Sequence, residues 1–384
     1  MNQINNLHFK EFGDNPSVRI SVPGVYSILG EFADYCSGYT LYAGSGNSLN
    51  VVLSPRKDQS VRMFLAPLGE RKRINLLNIK YRREDRWANY LKGVFAIFNT
   101  RGYHPAGCNI TFSGTLLSEE TETLRSAMAL GVALGCNELN HLELSVEDCA
   151  HVAYSSLSQF VGEPSRLTRF LAMLFVKADS YLFFDVLQMN HEYIPFRTDN
   201  RFVSLVIESN ISPQAFKEEI RNRRQECASA FQKLSSLFPS RILRDLKEEE
   251  IKEARPHLSE DDKRLISYVL AESRATKEAA ALLEQNEMVM YGRLLSRVQV
   301  GLRDVFEISC PEIDWLTKRS GETSRSYGSA MIGGGSSGSI IVLIDKEAIS
   351  IYADRMEEYE HIFGFKPLLK EFFPSGELKI DLNI

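Results

Sequence analysis

The segment Pro23-Gly-Val-Tyr-Ser-Ile-Leu-Gly-Glu-Phe-Ala-Asp-Tyr35 joins a short apolar run to a glycine and two carboxylates. Glu31 and Asp34 stand three positions apart, directly after Gly30. Ionised carboxylates only accept hydrogen bonds, so such a pair beside a glycine turn suits the hydroxyls of a polyol. The same residues also serve to cap a helix or bridge to an arginine. Both readings stand. Upstream, Ser17–Val22 reads as a β-like run, as do Thr40–Tyr42, Asn50–Leu53 and Ile110–Phe112 downstream.

Helical periodicity appears after Glu84, where Trp87, Tyr90, Leu91, Val94, Phe95 and Phe98 share one face. A second helix is predicted from about Glu119 to Leu134, ending near Gly135. Tyr181–Val186 and Val203–Ile207 read as buried strands, and Asn190–Asn200 as a polar, turn-rich link. Ser212-Pro213 is a cap with proline at the first helical position, opening a helix to about Leu234. Ser259-x-x-Asp262 resembles a capping box. Ser339–Ile344 reads as a strand, followed by a helix from Lys346 to Phe363 closed by Gly364. Strands and helices interleave without strict alternation, which predicts an α+β fold. The expected domains are residues 1–195 and 196–384.

The chain has 384 residues, room for about two to three domains with real cores. A net charge of −5 leaves no basic field for nucleic acid or an anionic membrane, so neither is an expected partner. Six scattered cysteines without a C-x-x-C pair predict free thiols in a reducing cytoplasm. The N-terminus lacks an apolar h-region, and no apolar run reaches roughly 18–20 residues. A cytoplasmic location is therefore expected. The histidines lack H-x-x-x-H spacing, so no metal site is expected. Arg71-Lys-Arg73, Lys80, Arg82 and Arg83 sit among Glu70, Glu84 and Asp85 and read as a solvated hairpin face.

The opening segment resembles the galactokinase motif P-G-R-V-N-L-I-G-E-H-T-D-Y, with Val25 at its arginine and Phe32 at its histidine. Further stations follow in order. Phe9-x-x-Phe12-Gly13-x-x-Pro16 is similar to the family's N-terminal signature, and Trp87-Ala-Asn-Tyr-Leu-Lys-Gly-Val94 to its W-A/V-N-Y-V-K-G-V helix. Gln159-Phe-Val-Gly162, Asn222-Arg-Arg-Gln-Glu-Cys227 and Phe306-Glu-Ile-Ser-Cys-Pro-Glu-Ile-Asp314 also have family counterparts. Gly328-Ser-Ala-Met-Ile-Gly-Gly-Gly-Ser-Ser-Gly338 resembles the third motif, G-A-R-M-T-G-G-G-F-G-G. The likeness covers roughly residues 9–365. It implies the two-domain fold of GHMP kinases, with a left-handed βαβ N-terminal domain and a ferredoxin-like C-terminal domain. It also implies an ancestral reaction, transfer of the γ-phosphoryl of Mg-ATP to the C1 hydroxyl of galactose in an interdomain cleft.

Phosphoryl transfer needs cradled phosphates, charge neutralisation, a held acceptor and a group to orient it. The family cradle G-x-G-L-S-S-S corresponds to Ser113-Gly-Thr-Leu-Leu-Ser-Glu-Glu-Thr-Glu122, where Glu119, Glu120 and Glu122 replace the serines. Two like charges at 4 Å cost about 4 kcal/mol near a surface, so this loop is not expected to bind ATP in the usual way. Acidic groups in a first turn complement the helix dipole themselves. At the family's catalytic aspartate stands Thr168, with Arg169 beside it, and Val25 removes the arginine partner. A threonine hydroxyl is no general base near neutral pH, and that function is typically worth about 10²–10⁴-fold. Gly30, Glu31 and Asp34 match the sugar pocket, while Ile220 replaces a family tyrosine. Gly333, Gly334, Gly335 and Gly338 keep the third motif, either for ligand approach or to preserve a turn.

These residues predict a galactokinase-like pseudokinase that binds a monosaccharide or other small ligand and acts as a sensor or protein partner. No cofactor is expected. The alternative is an atypical sugar kinase using Mg-ATP, with phosphates held by Arg125, Lys92 or the Gly333–Gly338 loop. A scaffold that uses the cleft for nothing is the third class.

Overall fold

The computed structural model describes residues 3–118, 122–197, 201–211, 217–333 and 338–382. In the first half the elements are α1 (Gln3–Phe12), β1 (Val18–Leu29), β2 (Tyr39–Pro55), β3 (Ser60–Leu65), β4 (Glu70–Asn75), α2 (Ala88–Thr100), β5 (Cys108–Gly114), α3 (Glu122–Asn140), α4 (Val146–Ser155), α5 (Leu167–Phe175), β6 (Ser180–Asp185) and β7 (Asn190–Pro195). The second half adds β8 (Phe202–Glu208), α6 (Lys217–Leu237), α7 (Glu248–Ala254), α8 (Glu260–Glu284), α9 (Met288–Asp304), α10 (Pro311–Glu322), β9 (Ser326–Met331), β10 (Ser339–Asp345), α11 (Ile349–Phe363), β11 (Leu368–Glu371) and β12 (Lys379–Leu382). The fold is mixed α+β, as the interleaving predicts.

Two compact units divide the chain. Unit 1 comprises Met1–Val25, Gly44–Ala178 and Ser375–Ile384; unit 2 comprises Tyr26–Ala43 and Asp179–Pro374. β1 passes from the first to the second after Val25, and β2 returns at Gly44.

In unit 1 the strand order is β12-β1-β2-β5-β3-β4, with β3 parallel to β5 and antiparallel to β4. Thr40–Tyr42 and Asn50–Leu53, which read as separate runs, belong to the single long β2. Its Val51, Val52 and Leu53 are fully buried. α3 does not end near Gly135 but continues to Asn140. A Cβ at Gly135 would come 2.4 Å from Leu53 Cδ1, and one at Gly131 2.7 Å from Val51 Cγ2. These glycines let the helix lie close on the sheet and are not a terminus. The basic cluster follows the expected hairpin, with β4 at the sheet edge and Arg71 pairing with Glu11 at 2.6 Å.

In unit 2 an antiparallel sheet runs β11-β8-β10-β9. Leu205, Val206 and Ile207 of β8 and Ile340 through Ile344 of β10 form its buried centre. α9 and α10 cover β9, α8 packs on α9, and α6 packs on α8. Ser259 and Asp262 close a reciprocal capping box on α8. The start of the helix predicted from Ser212-Pro213 lies outside the described residues; the described part of α6 runs to Leu237. Residues 190–195, read as turn-rich, form β7 instead, paired antiparallel with β6. A polar sequence is compatible with a strand at an edge, where one side faces water.

Candidate functional site

The first-motif segment of unit 2 is shaped by a glycine that cannot be replaced. Gly30 has φ +77°, and a Cβ there would lie 2.1 Å from the Tyr39 carbonyl oxygen. The chain then turns through a 3₁₀ helix, Ala33–Cys36, that carries Asp34 in its first turn. Glu31 is 3% exposed and accepts a hydrogen bond from Arg224 Nη2 at 2.8 Å. Of the two readings of Glu31, the arginine bridge is therefore present. Arg224 belongs to the Asn222–Cys227 motif but was not singled out from sequence; the repeated arginine in that motif was the signal for it. Its guanidinium also lies 5.9 Å from the Phe32 ring centroid, and its carbonyl accepts from the Tyr35 hydroxyl.

Phe32 is 1% exposed, with its centroid 4.2 Å from that of Phe306 and 6.4 Å from that of Tyr268. The position where the family motif has histidine is thus part of an aromatic core. Asp34 remains half-buried, and Ile220, at the family tyrosine position, is buried. The Cys36 thiol is pushed up to about 12, chiefly by burial, so it stays protonated.

The third motif begins in β9, and its described residues end at Gly338, just before β10. Gly333 and Gly338 have φ +66° and +61°, and the backbone N–H of Ile332 donates to Ser339 O at 3.0 Å. Gly338 O accepts from the Ser209 backbone N–H at 3.0 Å. Both φ values lie in the left-handed region that favours glycine. Gly334 and Gly335 lie outside the described residues.

In unit 1, Glu122 opens α3 and is 5% exposed. Its Oε2 is 3.1 Å from Nη1 of Arg169, which is 3% exposed. Glu122 and Arg169 thus form one buried ion pair. Glu119 and Glu120 lie outside the described residues. Thr168 is buried on α5, where Arg166 occupies the N-cap position, and Val25 is a buried apolar residue of β1. Arg125 pairs with Glu163 at 3.1 Å. Lys92 is buried against Asp85 and donates to Lys80 O at 2.9 Å. Both cations considered as substitute phosphate ligands are committed to carboxylates of the same unit. Among the described residues, no cluster of three His, Cys, Asp or Glu side chains is placed to hold a metal ion. Nor is any helix among them long and apolar enough to cross a membrane.

A mixed sheet backed by α2–α5 and a second, four-stranded antiparallel sheet under helices define the class, that of the GHMP kinases. Over 98% of both chains it superposes on Lactococcus lactis galactokinase complexed with galactose, with a TM-score of 0.88 at 19% identity. Methanococcus jannaschii mevalonate kinase shares the fold more loosely, with a TM-score of 0.61 at 13% identity, over 94% of this chain and 99% of that one. No family model matches the sequence. The sequence relatives narrow the class. It is 30% identical over 373 residues to the "Putative galactokinase" of Treponema pallidum, covering 95% of this chain and 93% of that one. Human galactokinase is 29% identical over 355 residues, 88% of this chain and 86% of its own. The chain belongs to the galactokinase family.

Proposed function

We propose that this member of the galactokinase family has lost ATP-dependent sugar phosphorylation and binds a monosaccharide or similar small ligand as a sensor. The observation that carries this reading is the buried Glu122–Arg169 pair. A helix N-terminus favours an anion, and here the chain supplies its own carboxylate in the first turn. A triphosphate brought to that turn would meet a buried negative charge already matched to its arginine. Separating such a pair without replacement is strongly unfavourable.

The residues present do not fit Mg-ATP. Glu122 stands among the residues that replace the phosphate-loop serines, Thr168 offers no base, and Arg125 and Lys92 are held by Glu163 and Asp85. No step of phosphoryl transfer is therefore assigned to these side chains. What supports a retained ligand is the Gly30–Asp34 turn, in which Gly30 has φ +77° and Asp34 is half-buried. The galactose complex of the Lactococcus lactis relative makes a monosaccharide the first ligand to try.

The test is calorimetric titration with Mg-ATP, with and without saturating galactose, beside a galactose titration alone. Galactose heat without nucleotide heat is the expected result. Nucleotide binding at micromolar affinity, with turnover of galactose, would restore the kinase reading. Silence towards both ligands would leave the scaffold reading in its place.

A further inference from the structure

Unit 2 contains a groove of about 720 Å³ between the 243–249 segment and α8, floored by Tyr39. None of its lining residues belongs to the segment Pro23–Tyr35, and the proposal that follows does not depend on the loss of kinase activity. Such a volume is within the range of small-molecule sites.

Arg244 is the fixed point of the groove. Its side chain is 7% exposed and makes paired bonds to Asp185, Nη1 to Oδ1 at 2.6 Å and Nη2 to Oδ2 at 3.1 Å. Nη1 also donates to Ser37 O at 3.0 Å. The guanidinium carbon lies 4.5 Å from the Tyr39 ring centroid. Lys277 Nζ lies 5.2 Å from the same centroid, so two cations address one ring. A ring quadrupole attracts cations but does not neutralise them.

Arg274 and Lys247 add two more exposed cations to the rim. Of the groove's acids, Glu278 is engaged by Arg297 at 2.6 Å. Asp245 and Glu249 also line the groove, on the same segment as Lys247, with Asp245 Oδ1 4.0 Å from Arg244 Nε. Lys247, Arg274 and Lys277 are exposed cations lining the groove, and cationic side chains are what a phosphate requires. Asp245 and Glu249 present acceptors, the requirement for hydroxyl groups. The Tyr39 ring contributes aromatic surface to the groove.

We propose that this groove is a second ligand site, for a small phosphorylated polyol, with the phosphate at Arg274 and Lys277 and the hydroxyls at Asp245 and Glu249. A purely anionic ligand would be repelled by the two carboxylates, and a neutral polyol would leave the cations unused.

The test is calorimetry on the full chain with glucose 6-phosphate, glycerol 3-phosphate, inorganic phosphate and glucose. At least one of the two esters is expected to bind, with inorganic phosphate weaker and glucose silent. Arg274→Gln/Lys277→Gln should weaken the ester by about tenfold or more, since two charge-assisted contacts are lost. Both side chains are exposed, so thermal unfolding of this variant should match the parent. No heat from either ester, ester binding unaffected by the double substitution, or glucose binding as tightly as its phosphate would each overturn the proposal.

Discussion

Glu122 Oε2 and Arg169 Nη1 lie 3.1 Å apart in the interior of unit 1, with side chains only 5% and 3% exposed. Removing one partner takes a buried charge contact from the other. Glu122→Leu is expected to destabilise the protein by about 3–5 kcal/mol, whereas Glu122→Leu/Arg169→Met should recover most of that loss. Urea unfolding of the three proteins measures it. A Glu122→Leu cost no greater than that of the double substitution would mean that leaving Arg169 without Glu122 carries no penalty of its own. Phosphate added to the single variant should also raise its melting temperature more than that of the parent, by supplying the missing anion.

Phe32 is packed against Phe306 and Tyr268, so restoring the family residue should not restore a sugar contact cheaply. Phe32→His introduces a buried polar ring into an aromatic cluster and should cost about 2–4 kcal/mol. Denaturant titration gives the number. Unchanged stability together with tighter galactose binding would contradict the core role assigned to this ring.

The two first-motif carboxylates should separate in their effects. Glu31→Gln weakens the buried contact to Arg224 and is expected to lower stability by about 1–3 kcal/mol. Asp34→Asn, at a half-buried position, should leave stability within about 0.5 kcal/mol while weakening galactose binding. Parallel unfolding and calorimetry distinguish them. If Asp34→Asn leaves galactose affinity unchanged, Asp34 is a relic of the ancestral pocket.

Gly30→Ala tests the turn that presents both residues. With φ +77° and a new Cβ 2.1 Å from a backbone oxygen, the substitution should cost about 3 kcal/mol or more. Soluble, fully stable Gly30→Ala protein would refute the geometry described for this turn.

His8 anchors α1 from a buried position, with Nδ1 2.8 Å from Thr111 Oγ1 and Nε2 2.9 Å from Ser54 Oγ. Burial lowers its pKa from 6.5 to about 4, against a smaller opposing effect of Asp14. The folded pKa is the depressed one, so neutral His8 contributes fully above pH 6.5. That stability is lost as pH falls from 6.5 through about 4, at up to about 1.4 kcal/mol per pH unit. Stability measured from pH 7.5 to 4.5 should show this slope in the parent and a shallower one in His8→Asn. Parallel curves would rule out His8 as the titrating group.

Much of the fold was legible because its signals are local. The aromatic stripe from Trp87 to Phe98, the Ser259–Asp262 capping box and the Gly364 terminator each depend on residues a few positions apart. The misread elements have a common cause. Gly135 lies within α3 because of Leu53, far away in sequence, and Asn190–Pro195 is a strand because β6 pairs with it. Neither neighbour is visible in a local window.

For the site the same division holds. The sequence by itself placed the chain in the galactokinase family, with Val25, Phe32, Thr168 and Glu122 as candidate replacements in its motifs, since each is a matter of residue identity. Only the tertiary structure joined Glu122 to Arg169, Glu31 to Arg224 and Phe32 to Phe306, pairs separated by long stretches of chain. Whether a buried charge is matched or stranded depends on what the folded backbone brings within a few ångströms, where desolvation makes the partner decisive.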